Sequence, residues 1–262
     1  MKFQSDNMRP NKLLGQHFLH SRTIISAIIR AAKVTRSDTV LEVGPGKGIL
    51  TEALIHQARR VIAVEKDKRL CEFLRKKFSD AENLSIVEGD AIKTKLALPK
   101  KFKIVANIPY YLTSRFIRKF LAAQTQSMTL LIQYEVARRV CAAPPSMNLL
   151  ALSVQAYADP KIMRKVPRRY FHPEPKVDSA LITITKKKKS FFEKKKIDER
   201  VFFSLTKKAF SQKRKTLKNS LGINSHKRPQ ELTLSDWASV IHTHTRTAPR
   251  AYSQLNAEML HR

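Results

Sequence analysis

The sequence predicts an α/β fold in which a Rossmann-like, largely parallel sheet is followed by a small all-helical domain. Strand-like and helix-like segments alternate along the first part of the chain, and parallel strands joined by right-handed crossovers form a sheet covered on both faces. The composition changes near Lys186, where lysine runs flank two phenylalanines and three amphipathic helical stretches follow. We therefore predict one domain over residues 1–185 and a basic helical domain over residues 186–262.

The predicted elements follow one another in a regular order. Apolar residues at helical spacing predict a helix over residues 23–34, and "DTVLEVG" then predicts a buried strand that ends in glycine. The later strands of the alternation are "RVIAVEKD", "LSIVEGD", "FKIVANIPY" and "MTLLIQYE". Two further strands, "PKIMRKVP" and "DSALITITK", flank the proline-rich loop "RRYFHPEPKV". The helical stretches of the second domain lie near residues 198–211, 215–221 and 235–242.

The charge of the chain indicates a polyanionic partner. Lys and Arg number 51 against 21 Asp and Glu, which gives a net charge of +30 over 262 residues. Nucleic acid is the commonest large polyanion. An anionic membrane surface is the alternative, but the longest apolar runs are far shorter than the roughly 18 to 20 residues that span a bilayer. We therefore expect nucleic acid and no membrane.

The second domain is the more densely charged part, with 19 Lys and Arg against 6 Asp and Glu from residue 186 onward. Such cations hold phosphates without reading sequence, and they predict salt-dependent RNA binding. For the run "KKKK" at residues 186–189, a solvated linker is the alternative interpretation. The predicted RNA-binding cluster consists of six residues: Lys207, Lys208, Lys213, Arg214, Lys215 and Lys218.

Cysteine usage gives a weaker indication. The only two cysteines are Cys71 and Cys141, so we expect neither a disulfide framework nor a cysteine zinc site, and no metal. A reducing cytoplasm fits this composition. The first recognisable pattern begins by Gly15, which leaves little room for a targeting peptide, and a monomer is the default expectation.

Three consecutive predicted strands end in residues that suit a nucleotide-type ligand. "LEVGPGKG" places Gly44 and Gly46 between a strand and a helix, where the backbone can approach a ligand closely. Glu65 ends the next strand and can accept hydrogen bonds from ribose hydroxyls, and Asp90 ends the third, where a carboxylate can accept from an adenine amine. The glycine turn alone is as well explained as a tight connection between strand and helix, and each acid alone is more often a surface or capping residue. Together they indicate an adenosine-bearing cofactor, either a dinucleotide or S-adenosylmethionine.

The fourth strand ends in "NIPYY", which suits methylation of an exocyclic amine. The amide oxygen of Asn107 and the carbonyl of Ile108, fixed by Pro109, can accept both amine hydrogens and draw the nitrogen toward tetrahedral geometry. Tyr110 offers a ring on which an unstacked base can lie. The alternative is an Asx-Pro turn that ends a strand and carries a surface aromatic. The preceding strand ends and the charge of the chain favour the catalytic interpretation.

Eight motifs follow one another in the chain: "LLGQHFLHS", "EVGPGKGILTEAL", "EKD", "EGDA", "NIPYYLTS", "EVARRV", "FHPEPKVDSALI" and "AFSQKRKTLKNSLG". With these motifs, the chain from about residue 10 to 236 resembles the rRNA adenine N6-dimethyltransferase family, that is, the KsgA/RsmA and Dim group with its relatives, the Erm resistance methyltransferases. The resemblance implies an S-adenosylmethionine-dependent methyltransferase sheet and the transfer of two methyl groups from S-adenosyl-L-methionine to each target adenine.

The resemblance also implies roles for individual residues. Phe171 matches the aromatic that joins Tyr110 around the flipped base, although a loop aromatic packed on the sheet edge is the alternative. His172 is expected to be structural or to contact RNA, because transfer to an amine needs no strong base. The implied catalytic residues are Asn107, Pro109, Tyr110 and Phe171. The implied cofactor-binding residues are His17, Leu19, Gly44, Gly46, Glu65, Asp90 and Asn107, with His17 standing where many members have asparagine.

The motifs divide between two branches of this family. The motif "VPRRYFHPEPKVDS" is closer to the Erm sequences, whereas "VGPGKG", "AFSQKRKTLKNSLG" and "RPQELTLSDW" are closer to the KsgA/RsmA group. We favour the latter, which implies two adjacent adenines in a hairpin loop near the 3′ end of small-subunit rRNA, within the immature small subunit. The alternatives are a large-subunit adenine, a DNA adenine and a non-catalytic RNA-binding assembly or transcription factor.

Overall fold

The computed structural model describes residues 9–11, 14–123 and 125–247. In chain order, the elements are β1 (Phe18–Leu19), α1 (Arg22–Ala32), β2 (Thr39–Val43), α2 (Ile49–Ile55), β3 (Arg60–Glu65), α3 (Lys68–Lys77), β4 (Leu84–Glu88), β5 (Phe102–Asn107), α4 (Thr113–Ala122), β6 (Thr125–Gln133), α5 (Tyr134–Val140), α6 (Leu149–Gln155), β7 (Ala158–Val166), β8 (Phe171–His172), β9 (Ser179–Lys186), α7 (Phe191–Lys195), α8 (Glu199–Ser211), α9 (Leu217–Leu221) and α10 (Leu234–Thr247).

Seven strands form one mixed sheet in the order β4-β3-β2-β5-β6-β9-β7. The pairs from β4 to β6 are parallel, and β9 runs antiparallel to β6. The chain winds from β2 outward to β4 and then returns to the other side of β2 with β5. The point where the strand order reverses lies between β2 and β5, where open α/β sheets bind their ligands. The predicted α/β fold is confirmed.

Helix α1 covers one face of this sheet because its apolar residues recur at helical spacing. Ser21 caps its first turn by accepting a hydrogen bond from the backbone of Ile24, and Lys33 ends it in a left-handed conformation. Ile24 and Ile28 are buried in a cluster that also contains strand residues such as Val105. This packing fixes the segment before α1, which carries the "GQHFL" motif, near the carboxyl ends of the strands.

The chain divides into two compact units whose limits differ from a single boundary at residue 186. The first comprises the described residues up to Arg138 together with Asp159–Lys186, and the second comprises Arg139–Ala158 with the described residues from Lys187 onward. Helix α6 belongs to the second unit because Leu152 is buried in the same apolar cluster as Phe202 and Trp237. None of the helices in the described part of the chain is long and apolar enough to cross a membrane.

Candidate active site

The carboxyl ends of β2, β3 and β5 open into a cavity of about 1100 Å³ in the first unit. Its wall includes Gly44, Glu65, Asp90 and Asn107, and the segment before α1 also contributes to it. The register brings two of the motifs together directly, because β2 and β5 are paired neighbours up to Val43 and Ala106. The sheet therefore collects at one edge the residues that the sequence places at separate strand ends.

The glycine turn after β2 needs residues without a side chain. Gly44 and Gly46 have φ angles of 70° and 59°, in the left-handed region. A Cβ atom on Gly44 would lie 3.3 Å from the backbone oxygen of Asn107, and one on Gly46 would lie 3.0 Å from the ring of Phe18. Both positions therefore combine an unusual backbone conformation with a close approach from a neighbouring element.

Glu65 anchors this turn to the end of β3. One carboxylate oxygen accepts hydrogen bonds from the backbone of Lys66 at 2.8 Å and Asp67 at 3.0 Å, and the other accepts from the backbone of Gly46 at 3.2 Å. Burial raises the pKa of Glu65, although these N–H donors oppose the shift. The carboxylate thus holds the glycine turn in place and presents acceptor oxygens at the cavity wall.

Gln16 and Asp67 form a link that the sequence analysis did not single out. The side-chain nitrogen of Gln16 donates to Asp67 at 3.1 Å, and Asp67 also pairs with Arg69 at 2.7 Å. The hydrogen bonds from Arg69 are the main reason why the pKa of Asp67 lies below its usual value. Both residues lie inside the quoted motifs "GQHFL" and "EKD", so this link joins the segment before α1 to the turn that follows Glu65.

Asp90 lies beyond β4 and is held by two neighbours. Its carboxylate accepts from the backbone of Ile92 at 2.9 Å and from the ammonium of Lys66 at 3.4 Å. Burial acts to raise the pKa of Asp90, but these two interactions outweigh it, and the pKa lies below its ordinary value. The charged carboxylate is therefore the stable form at neutral pH.

Asn107, the last residue of β5, has its orientation fixed by a hydrogen bond. Its side-chain nitrogen donates to the backbone oxygen of His17 at 3.2 Å. The next peptide is fixed as well, because the backbone nitrogen of Ile108 donates to Leu131 at 3.3 Å. Pro109, with a φ angle of −53°, then starts a 3₁₀ turn over Tyr110–Leu112. The amide oxygen of Asn107 and the carbonyl of Ile108 are thus carried by a rigid corner.

Tyr110 lies at the same corner and is held at both ends. Its hydroxyl is hydrogen-bonded to the hydroxyl of Ser179 at 2.8 Å, and its ring stacks on His17 with centroids 6.0 Å apart. Burial raises the pKa of Tyr110, so the phenol stays neutral at physiological pH. A half-buried ring with a fixed orientation is a suitable platform for a flat ligand.

His17 is engaged through its imidazole as well as its backbone. Its Nδ1 lies 2.6 Å from the carbonyl oxygen of Pro173, and because a carbonyl can only accept, Nδ1 carries the proton. In the neutral ring, Nε2 is then an acceptor. The side chain of His17 therefore donates a hydrogen bond to the backbone of Pro173.

Phe171 and Leu19 pair with each other across the short ribbon of β1 and β8. Phe171 is 3% exposed and Leu19 is 7% exposed, and both belong to the apolar cluster beneath α1. They also line the cavity. Phe171 is thus packed into the core, as in the alternative interpretation of a packed aromatic, and its contact with a flipped base stays a prediction.

Glu42 is a further residue of the cavity wall that the sequence analysis did not propose. It lies within β2 and is 1% exposed, and neither carboxylate oxygen has a hydrogen-bond partner among the described residues. Burial raises its pKa to about 8, and the charge of Glu65 adds to this shift. The only sequence signal was an acidic residue inside an otherwise apolar strand.

The predicted RNA-binding cluster lies in the second unit. Lys207 and Lys208 belong to α8, Lys218 belongs to α9, and the other three cations occupy the connection between these helices. All six side chains are exposed. Among the described residues, no group of three or more His, Cys, Asp or Glu side chains could hold a metal ion.

The chain is similar in sequence and in fold to known proteins. A family model described as ribosomal RNA adenine dimethylase matches residues 7–255. "Ribosomal RNA small subunit methyltransferase A" from Dehalococcoides mccartyi is 37% identical over 254 residues, which cover 88% of this chain and 87% of the relative.

Two solved structures extend the comparison. A dimethyladenosine transferase from Plasmodium falciparum has a TM-score of 0.79 at 28% identity, covering 88% of this chain and 98% of that one. The 23S rRNA methyltransferase ErmE has a TM-score of 0.73 at 26% identity, covering 86% and 99%. The resemblance inferred from the motifs is therefore confirmed. The chain belongs to the ribosomal RNA adenine dimethylase family.

Proposed function

We propose that the protein transfers methyl groups from S-adenosyl-L-methionine to the N6 amines of two adjacent adenines in a 3′-terminal hairpin loop of small-subunit (16S) rRNA, giving N6-dimethyladenosine during ribosome biogenesis. The observation that carries this proposal is the fixed corner at Asn107. Its amide nitrogen is engaged by His17, so the amide oxygen is the end that can accept from a substrate amine.

The cavity suits the proposed cofactor by its shape and its donor set. The glycine turn lines the cavity, and Gly44 and Gly46 leave its backbone uncovered by side chains there. Glu65 supplies oxygens for ribose hydroxyls, and Asp90 supplies an acceptor for the adenine amine of the cofactor. When bound, S-adenosyl-L-methionine would supply the electrophilic methyl group for the transfer.

The residues of the "NIPY" corner would prepare the target amine. The oxygens of Asn107 and Ile108 would accept its two hydrogens, which would localise the nitrogen lone pair and hold the amine in a fixed orientation. The ring of Tyr110 stacks on the unstacked adenine and holds it in this orientation. No general base is needed, because the methylated amine is acidic enough to lose its proton to water.

The choice of small-subunit rRNA is supported by the more similar relative. The Dehalococcoides mccartyi protein named for the small subunit is 37% identical to this chain, whereas the 23S rRNA methyltransferase ErmE is 26% identical. A large-subunit adenine is therefore the second candidate target. We further propose that the protein acts as a cytoplasmic monomer on immature small subunits, where its net charge of +30 attracts rRNA.

Labelled S-adenosyl-L-methionine tests this proposal. The protein is incubated separately with immature small subunits, large-subunit rRNA and DNA, and the modified base is mapped. We expect label at two adjacent adenines of small-subunit rRNA. Label found only in large-subunit rRNA or only in DNA would show that this nucleic acid, and not small-subunit rRNA, is the substrate. No label in any of the three would exclude the enzymatic function.

A further inference from the structure

The outer surface of the segment from the active-site corner into α4 carries an exposed aromatic followed by two arginines. Between Tyr111 and Phe120, the exposed side chains are those of Tyr111, Arg115 and Arg118. Their spacing of four and three residues places them on one face of a continuous helical segment. We call this row the α4 stripe. Its length is about 10 Å, roughly that of three stacked nucleotides.

Tyr111 lies at the rim of the same cavity that Tyr110 lines. It is 58% exposed, the highest value among the large apolar side chains of the described residues, and it also lines the cavity. Its ring lies next to the backbone of Gly15, where a Cβ atom would approach it to 3.6 Å. An aromatic ring that is open to solvent at the rim of the cavity offers a face on which a nucleic-acid base can stack.

The two arginines are available for phosphate. No ion pair joins Arg115 or Arg118 to a carboxylate in the described part of the chain. No acidic residue occurs between Tyr111 and Ala122, so the stripe carries positive charge alone. The helix itself is anchored, because the ammonium of the neighbouring Lys119 donates to the backbone oxygens of Ala91 and Ile92 at 3.0 and 2.7 Å.

We propose that the α4 stripe binds the nucleotides next to the target adenine, with Tyr111 stacking on the flanking base and Arg115 and Arg118 binding the phosphates that follow it. This inference rests on the function proposed above and extends it from the flipped base to its neighbours. The two adjacent tyrosines then bind different bases. Tyr110 stacks on the target base inside the cavity, and Tyr111 stacks on the next base at the rim. Tyr111 is a positioning residue in this scheme.

The test uses a hairpin RNA with two adjacent loop adenines, and versions in which the nucleotide on the 5′ or 3′ side of this pair is abasic. We expect the full-length protein to bind one abasic version about tenfold more weakly than the intact RNA. We expect Tyr111→Ala to bind the intact RNA and that abasic version with the same reduced affinity. Tyr111→Phe should restore the contrast. Equal affinity of the unsubstituted protein for intact and abasic RNA would overturn the stacking role.

The arginines are tested by salt dependence. Replacing Arg115 and Arg118 by glutamine should lower the slope of log affinity against log salt concentration by about 1.4, since each single-strand phosphate contact contributes about 0.7. The matched control replaces Arg75 and Lys76, two exposed cations of α3, by glutamine and should leave this slope unchanged. Equal slopes for the stripe variant and the control would overturn the phosphate contacts.

Two further measurements distinguish a role of Tyr111 in RNA binding from a role in shaping the cofactor site. If Tyr111 only orders the turn at Gly15, Tyr111→Ala should weaken cofactor binding and leave the abasic contrast in place, which would overturn the proposal. Methyl transfer by the unsubstituted protein is measured in parallel on immature small subunits. Its absence would count against the proposed function, whereas transfer combined with an unaltered contrast in Tyr111→Ala would count against the stripe alone.

Discussion

The side-chain nitrogen of Asn107 donates a hydrogen bond to the backbone oxygen of His17, 3.2 Å away. This bond joins the end of β5 to the segment before β1. It also decides which end of the amide is offered to the cavity, since an amide whose nitrogen is engaged presents its oxygen as an acceptor. The "NIPY" and "GQHFL" motifs are therefore parts of one structure.

Removal of this amide should stop catalysis without stopping RNA binding. In Asn107→Ala, the target amine loses one fixed acceptor, and we expect kcat to fall at least about 100-fold, as for the loss of one preorganised polar contact. RNA affinity should change by less than about threefold. Single-turnover methyl transfer and RNA-binding titrations measure the two effects, and a comparable loss of RNA affinity would contradict the assigned role.

The ring of Tyr110 should matter more than its hydroxyl. Tyr110→Phe removes the hydrogen bond to Ser179 but keeps the stacking surface, so we expect kcat/KM to fall by less than about tenfold. Tyr110→Ala removes the platform and should cost about 1 to 3 kcal/mol of stacking, which corresponds to a further loss of roughly 5- to 150-fold in kcat/KM. If both variants were equally impaired, the hydroxyl and not the ring would be the important group.

Glu65→Gln should weaken the cofactor site. The carboxylate uses both oxygens to accept from the backbone N–H groups of Gly46, Lys66 and Asp67. An amide has only one acceptor oxygen, so at least one of these hydrogen bonds is lost and the glycine turn is held less firmly. We expect the Kd for S-adenosyl-L-methionine to rise about 10- to 100-fold, since hydrogen bonds to charged groups contribute roughly 1.5 to 3 kcal/mol. Calorimetric titration measures this change. Glu88→Gln, an exposed position at the end of β4, is the matched control and should bind normally.

The strand ends could be predicted from the sequence because each one is a local feature. Gly44, Glu65 and Asn107 directly follow apolar runs, and parallel strands carry their carboxyl ends to one edge. The ribbon of β1 and β8 could not be predicted in this way. Its strands have two residues each, too few for any periodicity, and the bond between His17 and Pro173 spans 156 positions.

The same limit explains two other differences. Phe171 stands in a proline-rich loop by sequence, yet its pairing with Leu19 draws the ring into the core. Helical periodicity identifies an apolar face for α6, but it cannot say which core that face will join. Leu152 joins the cluster that contains Trp237, which places residues on the N-terminal side of the predicted boundary in the second unit.

Neutralising three neighbouring cations should flatten the salt dependence of RNA binding. Replacing Lys213, Arg214 and Lys215 by glutamine removes up to three phosphate contacts, and the slope of log affinity against log salt should fall by about 2 to 3. Titrations between about 50 and 200 mM salt measure it. The control replaces three exposed lysines of the same unit, Lys188, Lys189 and Lys194. An unchanged slope in the first variant, or an equal fall in the control, would contradict the assignment.

Glu42 should make the stability of the cofactor-free protein depend on pH. Burial raises its pKa from 4.5 to about 8, so between these values the unfolded chain releases a proton that the folded chain retains. The free energy of unfolding should therefore decrease as the pH rises through this window, and the loss should be complete above the folded pKa. At acidic pH the carboxyl is neutral in both states and costs little.

The substitution Glu42→Gln removes this titration while it keeps the shape of the side chain. We expect the variant to match the unsubstituted protein near pH 5 and to exceed its free energy of unfolding by on the order of 2 to 4 kcal/mol near pH 8. Urea unfolding followed by circular dichroism at both pH values measures the difference, with the exposed Glu82→Gln as control. A variant that gains no stability at pH 8 would show that Glu42 is already charged in the folded protein. In that case the folded and unfolded states would release the proton at the same pH, and Glu42 would not make the free energy of unfolding depend on pH.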